Sequence, residues 1–175
     1  VVLTYQLFGA VAILFCIAYA LRYVARYSVN VPSNDDWSYI AQYQEFLAHK
    51  IDFLNLLTRQ DSGYRQPTMR LLWFPLFALT RVNLQAILVL HVFILIATFL
   101  GLLIIYRAFA RKIDLVLFAP VAILLFSTGQ SDGLLWAGTT PYLLANLGVV
   151  FALALVGRSN RTHFVLGLAA SIFAN

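Results

Sequence analysis

Five stretches of this chain carry no charged residue: residues 1–21, 82–106, 115–131, 133–157 and 162–175. A helix needs ~20 mostly apolar residues to cross the hydrocarbon of a bilayer. Two of the stretches exceed that length, one matches it and two approach it. The expected fold is therefore all-α, a polytopic transmembrane helical bundle. Composition points the same way. Hydrophobic residues make up 62% of the chain and charged residues 11%, where soluble domains have about 25% charged. The mean hydropathy is +0.83. A water-soluble globule and a disordered chain are both excluded. The formal charge of +5 does not indicate nucleic acid, because the basic residues flank spans and no Lys/Arg run is dense enough to track a phosphodiester backbone. Cys16 is the single cysteine and cannot close an intrachain disulfide.

The runs predict one membrane module over 1–175. Its spans are expected at about 1–23, 82–106, 113–126, 141–156 and 163–175, with a long loop over about 25–81. The first run is too long and uninterrupted for a signal-peptide core. The chain begins at Val1 and stops at Asn175 within an apolar stretch, which is expected of an N-terminal piece of a longer protein. Arg107, Arg111 and Lys112 lie in one short loop, and Arg158 and Arg161 in another on the same side by alternation. Lys/Arg asymmetry makes that side cytoplasmic, with the N-terminus. The long loop then lies outside, with the short polar loop over 127–140.

The long loop opens with Val31-Pro32-Ser33-Asn34-Asp35-Asp36-Trp37. Pro32 holds Val31 extended, Ser33 or Asn34 can cap a helix, and Ser33-x-x-Asp36 approximates a capping box. Tyr39, Ile40, Tyr43, Phe46 and Leu47 recur at helical spacing, with Gln42, Gln44, Glu45 and His49 expected on other faces. That pattern predicts an amphipathic helix lying on the membrane surface. A second interfacial helix is expected over about 68–79, and Trp73 and Trp136 read as members of an interfacial aromatic belt.

Asp35 and Asp36 are the candidate catalytic groups. Either could take a proton from a hydroxyl or ligate a divalent metal; equally, both could only cap the helix. Adjacent residues point apart on a helix, so the two cannot act as a close acid/base pair. Arg59, Tyr64, Arg65 and Arg70 surround the turn-rich Gln60-Asp61-Ser62-Gly63-Tyr64-Arg65-Gln66-Pro67. Arginine binds phosphate through a planar fork, so Arg65 or Arg70 is a candidate for the phosphate of a lipid-linked substrate; snorkelling to bulk lipid phosphate is the plainer alternative. Gln130 and Asp132 are candidates in the second outer loop. Thr139 or Thr140 with Pro141 can start a helix whose N-terminus faces the same side. His91 and Asn146 read as interhelical hydrogen bonders.

The order of these features resembles the N-terminal part of the GT-C class of membrane glycosyltransferases. One span is followed at once by Asn34-Asp35-Asp36-Trp37, then a long outer loop of surface helices, then closely spaced spans. The stretch ending Arg65-Gln66-Pro67-Thr68-Met69-Arg70-Leu71-Leu72 looks like the second outer-loop motif of the bacterial members, and so does the Gly-x-x-Asp-Gly-Leu-Leu-Trp pattern over 129–136. The segment around Tyr64-Arg65-Gln66 departs from that motif, which usually carries more His and Asn. The resemblance implies a bacterial cytoplasmic-membrane, cell-envelope enzyme that inverts configuration as it moves a sugar from a polyprenyl-phosphate donor to an acceptor hydroxyl at the outer face. It implies Asp35 or Asp36 as base or metal ligand, and no cofactor beyond a divalent metal. A noncatalytic handler of lipid-linked glycans (a flippase or polymerase partner) and a scaffold subunit are the alternatives. Membrane lipid is the expected surroundings, and nucleic acid is not an expected partner.

Overall fold

The computed structural model describes residues 2–61, 64–110 and 112–156, with side chains from Leu3 onward except those of Asp61, Tyr64 and Arg65. It is all-α apart from one antiparallel pairing of Gln60–Asp61 with Tyr64–Arg65. The helices are α1 (Val2–Tyr27), α2 (Asp36–Leu47), α3 (Phe53–Thr58), α4 (Pro67–Thr80), α5 (Leu84–Ala110), α6 (Leu115–Leu125), α7 (Ser131–Leu135) and α8 (Thr140–Val156). Among the described residues, four stretches are long and apolar enough to cross a membrane: Leu3–Tyr27, Leu84–Ala110, Leu115–Leu135 and Ala137–Leu155. The chain is an integral membrane protein of α-helices. The fifth expected span and the loop with Arg158 and Arg161 lie outside the described residues, as does Arg111.

The bundle packs α1 against α6 and α5, and α5 against α8. Small residues set the closest approaches, as expected where lipid offers no hydrophobic drive between helices. A Cβ on Gly9 would stand 2.5 Å from the Leu115 backbone, and one on Gly101 would stand 2.5 Å from Val150 Cγ1. Beside Gly9, the Gln6 side-chain oxygen accepts the Leu115 N–H at 2.9 Å. Asp114 takes the next two N–H groups, of Val116 and Leu117. The α6 N-terminus is thus capped by its own loop and by α1.

That contact puts the start of α1 and the start of α6 at one end of the bundle. At the other end the Asn30 side chain accepts the Leu84 N–H at 2.8 Å, and Gln85 donates to the Ser28 carbonyl at 2.9 Å. The segments between α1 and α5, and between α6 and α8, therefore gather at this second end. The turn from α4 into α5 is sharp. Arg81 and Val82 both have left-handed backbone, with φ of 57° and 62°, and the Val82 N–H closes on the Phe77 carbonyl at 3.0 Å.

Two elements differ from the sequence reading. Residues 127–140, expected as a polar loop, form a 3-10 turn (Thr128–Gln130), α7 and a second 3-10 turn (Ala137–Thr139). The third span thereby continues to Leu135. Ser127 Oγ caps the first turn through the Gly129 N–H, and Gln130 donates to the Leu124 carbonyl at the end of α6. Trp73, expected in an aromatic belt, is fully buried under α2.

Candidate functional site

The site is built from the inner face of α2. Asp36, Tyr39, Gln42 and Tyr43 are all buried. Their spacing of three and four residues puts them on one side of the helix. Tyr39 packs on Trp73 at 5.1 Å between ring centroids, and Tyr43 packs edge-on against Phe74 and Phe77 at 5.2 and 5.5 Å. The face of α2 that meets α4 is therefore aromatic. Gln42, expected on an outer face, is turned inward because it has a buried partner there. Its side-chain oxygen accepts from Arg70 Nε at 2.8 Å. Arg70 is 1% exposed, and its guanidinium carbon lies 5.8 Å from the centre of the Tyr39 ring. The Tyr39 hydroxyl donates to the Gln66 side-chain oxygen.

The two adjacent aspartates have opposite environments. Asp35 occupies the N-cap position of α2, makes no capping bond and is exposed. Asp36 is 2% exposed. Its Oδ2 accepts the Ser33 backbone N–H at 3.0 Å and the Ser33 hydroxyl at 3.3 Å. This is half of the expected capping box: the acid reaches back, but the Ser33 hydroxyl donates to the acid and caps no helix amide, the Asp36 N–H going instead to the Ser33 carbonyl at 2.9 Å. The other carboxylate oxygen, Oδ1, has no hydrogen-bond partner among the described residues. Burial pushes the Asp36 carboxyl above the usual carboxylate range, the Ser33 bonds pull it back in part, and the neighbouring Asp35 charge adds a further push upward.

A second polar node joins this layer to the spans. Thr140 Oγ1 accepts the Trp73 indole N–H at 3.1 Å, donates to the Ala137 carbonyl at 2.7 Å and meets His91 Nε2 at 2.7 Å. His91 Nδ1 is 3.0 Å from the Gly133 carbonyl. A carbonyl only accepts, so Nδ1 carries hydrogen and donates. In a neutral ring Nε2 is then an acceptor, and it competes with Ala137 for the single Thr140 hydroxyl proton. Thr139 and Thr140, expected to cap the α8 N-terminus, both donate backward, to the Trp136 and Ala137 carbonyls. The node ties α4, α5, α7 and α8 together at one end of the bundle.

The remaining candidates are scattered. Arg59 is ion-paired to Glu45 at 2.7 Å across exposed surface. Gln130 is committed to the Leu124 carbonyl. Asp132 is exposed on α7. The side chains of Tyr64 and Arg65 lie outside the described residues. Asn146 is exposed, and its side chain makes no hydrogen bond among the described residues. No group of three His, Cys, Asp or Glu able to hold a metal ion is present among the described residues. Asp35 and Asp36 diverge, one outward and one inward, so the pair does not form a joint metal site. Neither Gln42 nor the Trp73–Thr140–His91 node carries a recognisable motif in the sequence. The only signal for Gln42 was its position between Tyr39 and Tyr43 on the apolar stripe.

Beside Arg70, α2, α3 and α4 enclose an open, almost wholly apolar groove of about 320 Å³, walled by Tyr43, Phe46, Phe53, Phe74 and Pro75. It joins a buried guanidinium to a surface suited to hydrocarbon. Comparison with protein-family models, with curated proteins and with solved structures finds no match.

Proposed function

We propose that this chain is part of a membrane glycosyltransferase of GT-C type, using a polyprenyl-phosphate sugar as donor and Asp36 as base. The observation that carries the proposal is the Asp36 carboxylate: buried, half satisfied by Ser33, and with Oδ1 unengaged among the described residues. A group that only capped the helix would be satisfied by Ser33 and would not need burial. A raised pKa also makes the carboxylate a stronger proton acceptor.

Asp36 takes the proton of the acceptor hydroxyl, and the freed oxygen bonds to the anomeric carbon from the face opposite the phosphate. The bond from that carbon to the phosphate oxygen breaks, its electron pair leaves with the lipid phosphate, and configuration inverts. Phosphate is a good leaving group, so no strong general acid is needed. Arg70 supplies positive charge near the groove, and the groove accommodates part of the lipid chain. The two adjacent aspartates do not fit a shared metal, and no step is assigned to one. On the Lys/Arg asymmetry, the end with α2–α4 faces outward and these helices lie in the membrane interface.

The test is sugar transfer from a panel of polyprenyl-phosphate sugars by the full-length protein. Asp36→Asn is expected to lose at least about 100-fold in rate, the lower range for general-base catalysis, while Asp35→Asn retains activity. Full activity in Asp36→Asn removes the base. The apolar groove with Arg70 also suits a noncatalytic carrier of lipid-linked glycans. That reading is favoured if Asp36→Asn is silent and Arg70→Ala abolishes lipid-phosphate binding.

A further inference from the structure

A cluster outside this site lies on the last two turns of α1. Tyr19, Arg22, Tyr23, Arg26 and Tyr27 alone line an open cavity of about 230 Å³. Arg22 and Arg26 are one turn apart and share a face. Both are exposed, and neither guanidinium has a hydrogen-bond or ion-pair partner among the described residues. Arg26 lies 5.9 Å from the centre of the Tyr27 ring, and Tyr27 packs on Tyr23 at 4.9 Å. The ring pair backs the Arg26 guanidinium on one side.

The stripe continues toward the middle of the span. At 100° per residue, Phe8, Val11 and Phe15 fall within 60° of one another and on the same face as the two arginines. All three are exposed, and Phe15 stacks on Tyr19 at 6.3 Å. One face of α1, left uncovered by the described residues, thus runs from hydrocarbon-seeking side chains to two guanidinium groups that have no counter-charge among those residues and are flanked by tyrosines. That is the profile of an anionic amphiphile seen from its receptor, with chains along Phe8–Phe15 and a phosphate across Arg22 and Arg26.

We infer that the α1 stripe is a binding site for an anionic phospholipid, separate from the groove between α2 and α4. Charge complementarity selects this occupant: a second apolar helix would cover Phe8 and Phe15 but leave two cations without a counter-charge. The inference does not rest on the proposed sugar transfer.

The experiment is native mass spectrometry of the full-length protein released from mixed micelles of dioleoyl phosphatidylglycerol and dioleoyl phosphatidylcholine. Wild type is expected to retain phosphatidylglycerol in preference to phosphatidylcholine. Arg22→Gln/Arg26→Gln is expected to lower that preference about thirtyfold, and each single variant about fivefold, from the usual contribution of a basic residue at an anionic surface. Arg22→Lys/Arg26→Lys keeps the charge and should keep most of the preference. Equal phosphatidylglycerol retention by wild type and both Gln single variants overturns the inference. So does displacement of the lipid by millimolar inorganic phosphate or glycerol 3-phosphate, which would mean that the arginines read a free anion and the apolar stripe contributes nothing.

Discussion

Replacing Thr140 by Val keeps the shape of the side chain and removes the oxygen on which Trp73 and His91 converge. The structure allows the cost to be worked out. The Trp73 indole N–H and His91 Nε2 are both fully buried and would each lose their partner. Interhelical hydrogen bonds inside membrane bundles are worth ~0.6 kcal/mol on average and up to ~1.7. Two of them put the expected loss at about 1–3 kcal/mol. Thr140→Ser keeps the hydroxyl and should cost only about 0.8 kcal/mol, for one methyl group. The assay is unfolding in mixed micelles by SDS titration, followed by circular dichroism. A double-mutant cycle with Trp73→Phe isolates the indole bond and should give a coupling of about 0.6–1.7 kcal/mol. A Thr140→Val protein as stable as wild type, together with zero coupling, would refute the claim that this node clamps α4 to α5, α7 and α8.

Other substitutions test other contacts. Gly9→Ala drives a methyl into the Leu115 backbone and is expected to destabilise by about 1–3 kcal/mol in the same titration; Gly101→Ala meets only the Val150 side chain and should cost less. Asp36→Ala leaves the Ser33 N–H without its acceptor and should cost about 1–2 kcal/mol, whereas Asp36→Asn keeps an acceptor there and should match or exceed wild-type stability at neutral pH. The pH dependence has a definite sign. A carboxyl whose pKa is raised on folding binds its proton more tightly in the folded state, so its contribution to stability falls as pH rises from 3.8 through the folded value. Wild type should show that fall relative to Asp36→Asn. Arg59→Gln removes an exposed ion pair and should change stability by less than about 1 kcal/mol.

The membrane-long helices were legible because a charge-free run of sufficient length decides the matter by itself. Helices over Asp36–Leu47 and Pro67–Thr80 agree with the Pro32-Ser33 start, the Tyr39–Tyr43 spacing and the helix expected over about 68–79. What could not be read was which side of each helix meets protein. Asp35 and Asp36 differ by about 100° around α2, and only the docking of Tyr39 and Tyr43 on α4 decides that Asp36 is the buried one. Trp73 suits an interfacial belt and a buried contact equally, because its indole offers an apolar body and one donor; the acceptor that decides is Thr140, sixty-seven positions away. Arg70 and Gln42 are twenty-eight positions apart, so neither is recognisable as a buried pair from its own surroundings. Residues 127–135 read as a loop because Gly129, Gly133 and the serines favour turns, and packing of Leu134 and the His91 bond to Gly133 override that preference.

One carboxylate of the adjacent pair, Asp36, is buried, with an oxygen that has no hydrogen-bond partner among the described residues. Isotope-edited infrared titration of the Asp36 carboxyl, taken as the difference between wild type and Asp36→Asn in lipid nanodiscs, measures this without knowledge of the substrate. Protonation is expected with a midpoint above 3.8; Asp35→Asn should keep the band and lower its midpoint, because it removes the neighbouring charge. A midpoint at or below 3.8 would show a carboxylate stabilised by its surroundings as an ordinary cap, and would contradict the assignment of Asp36 as the base.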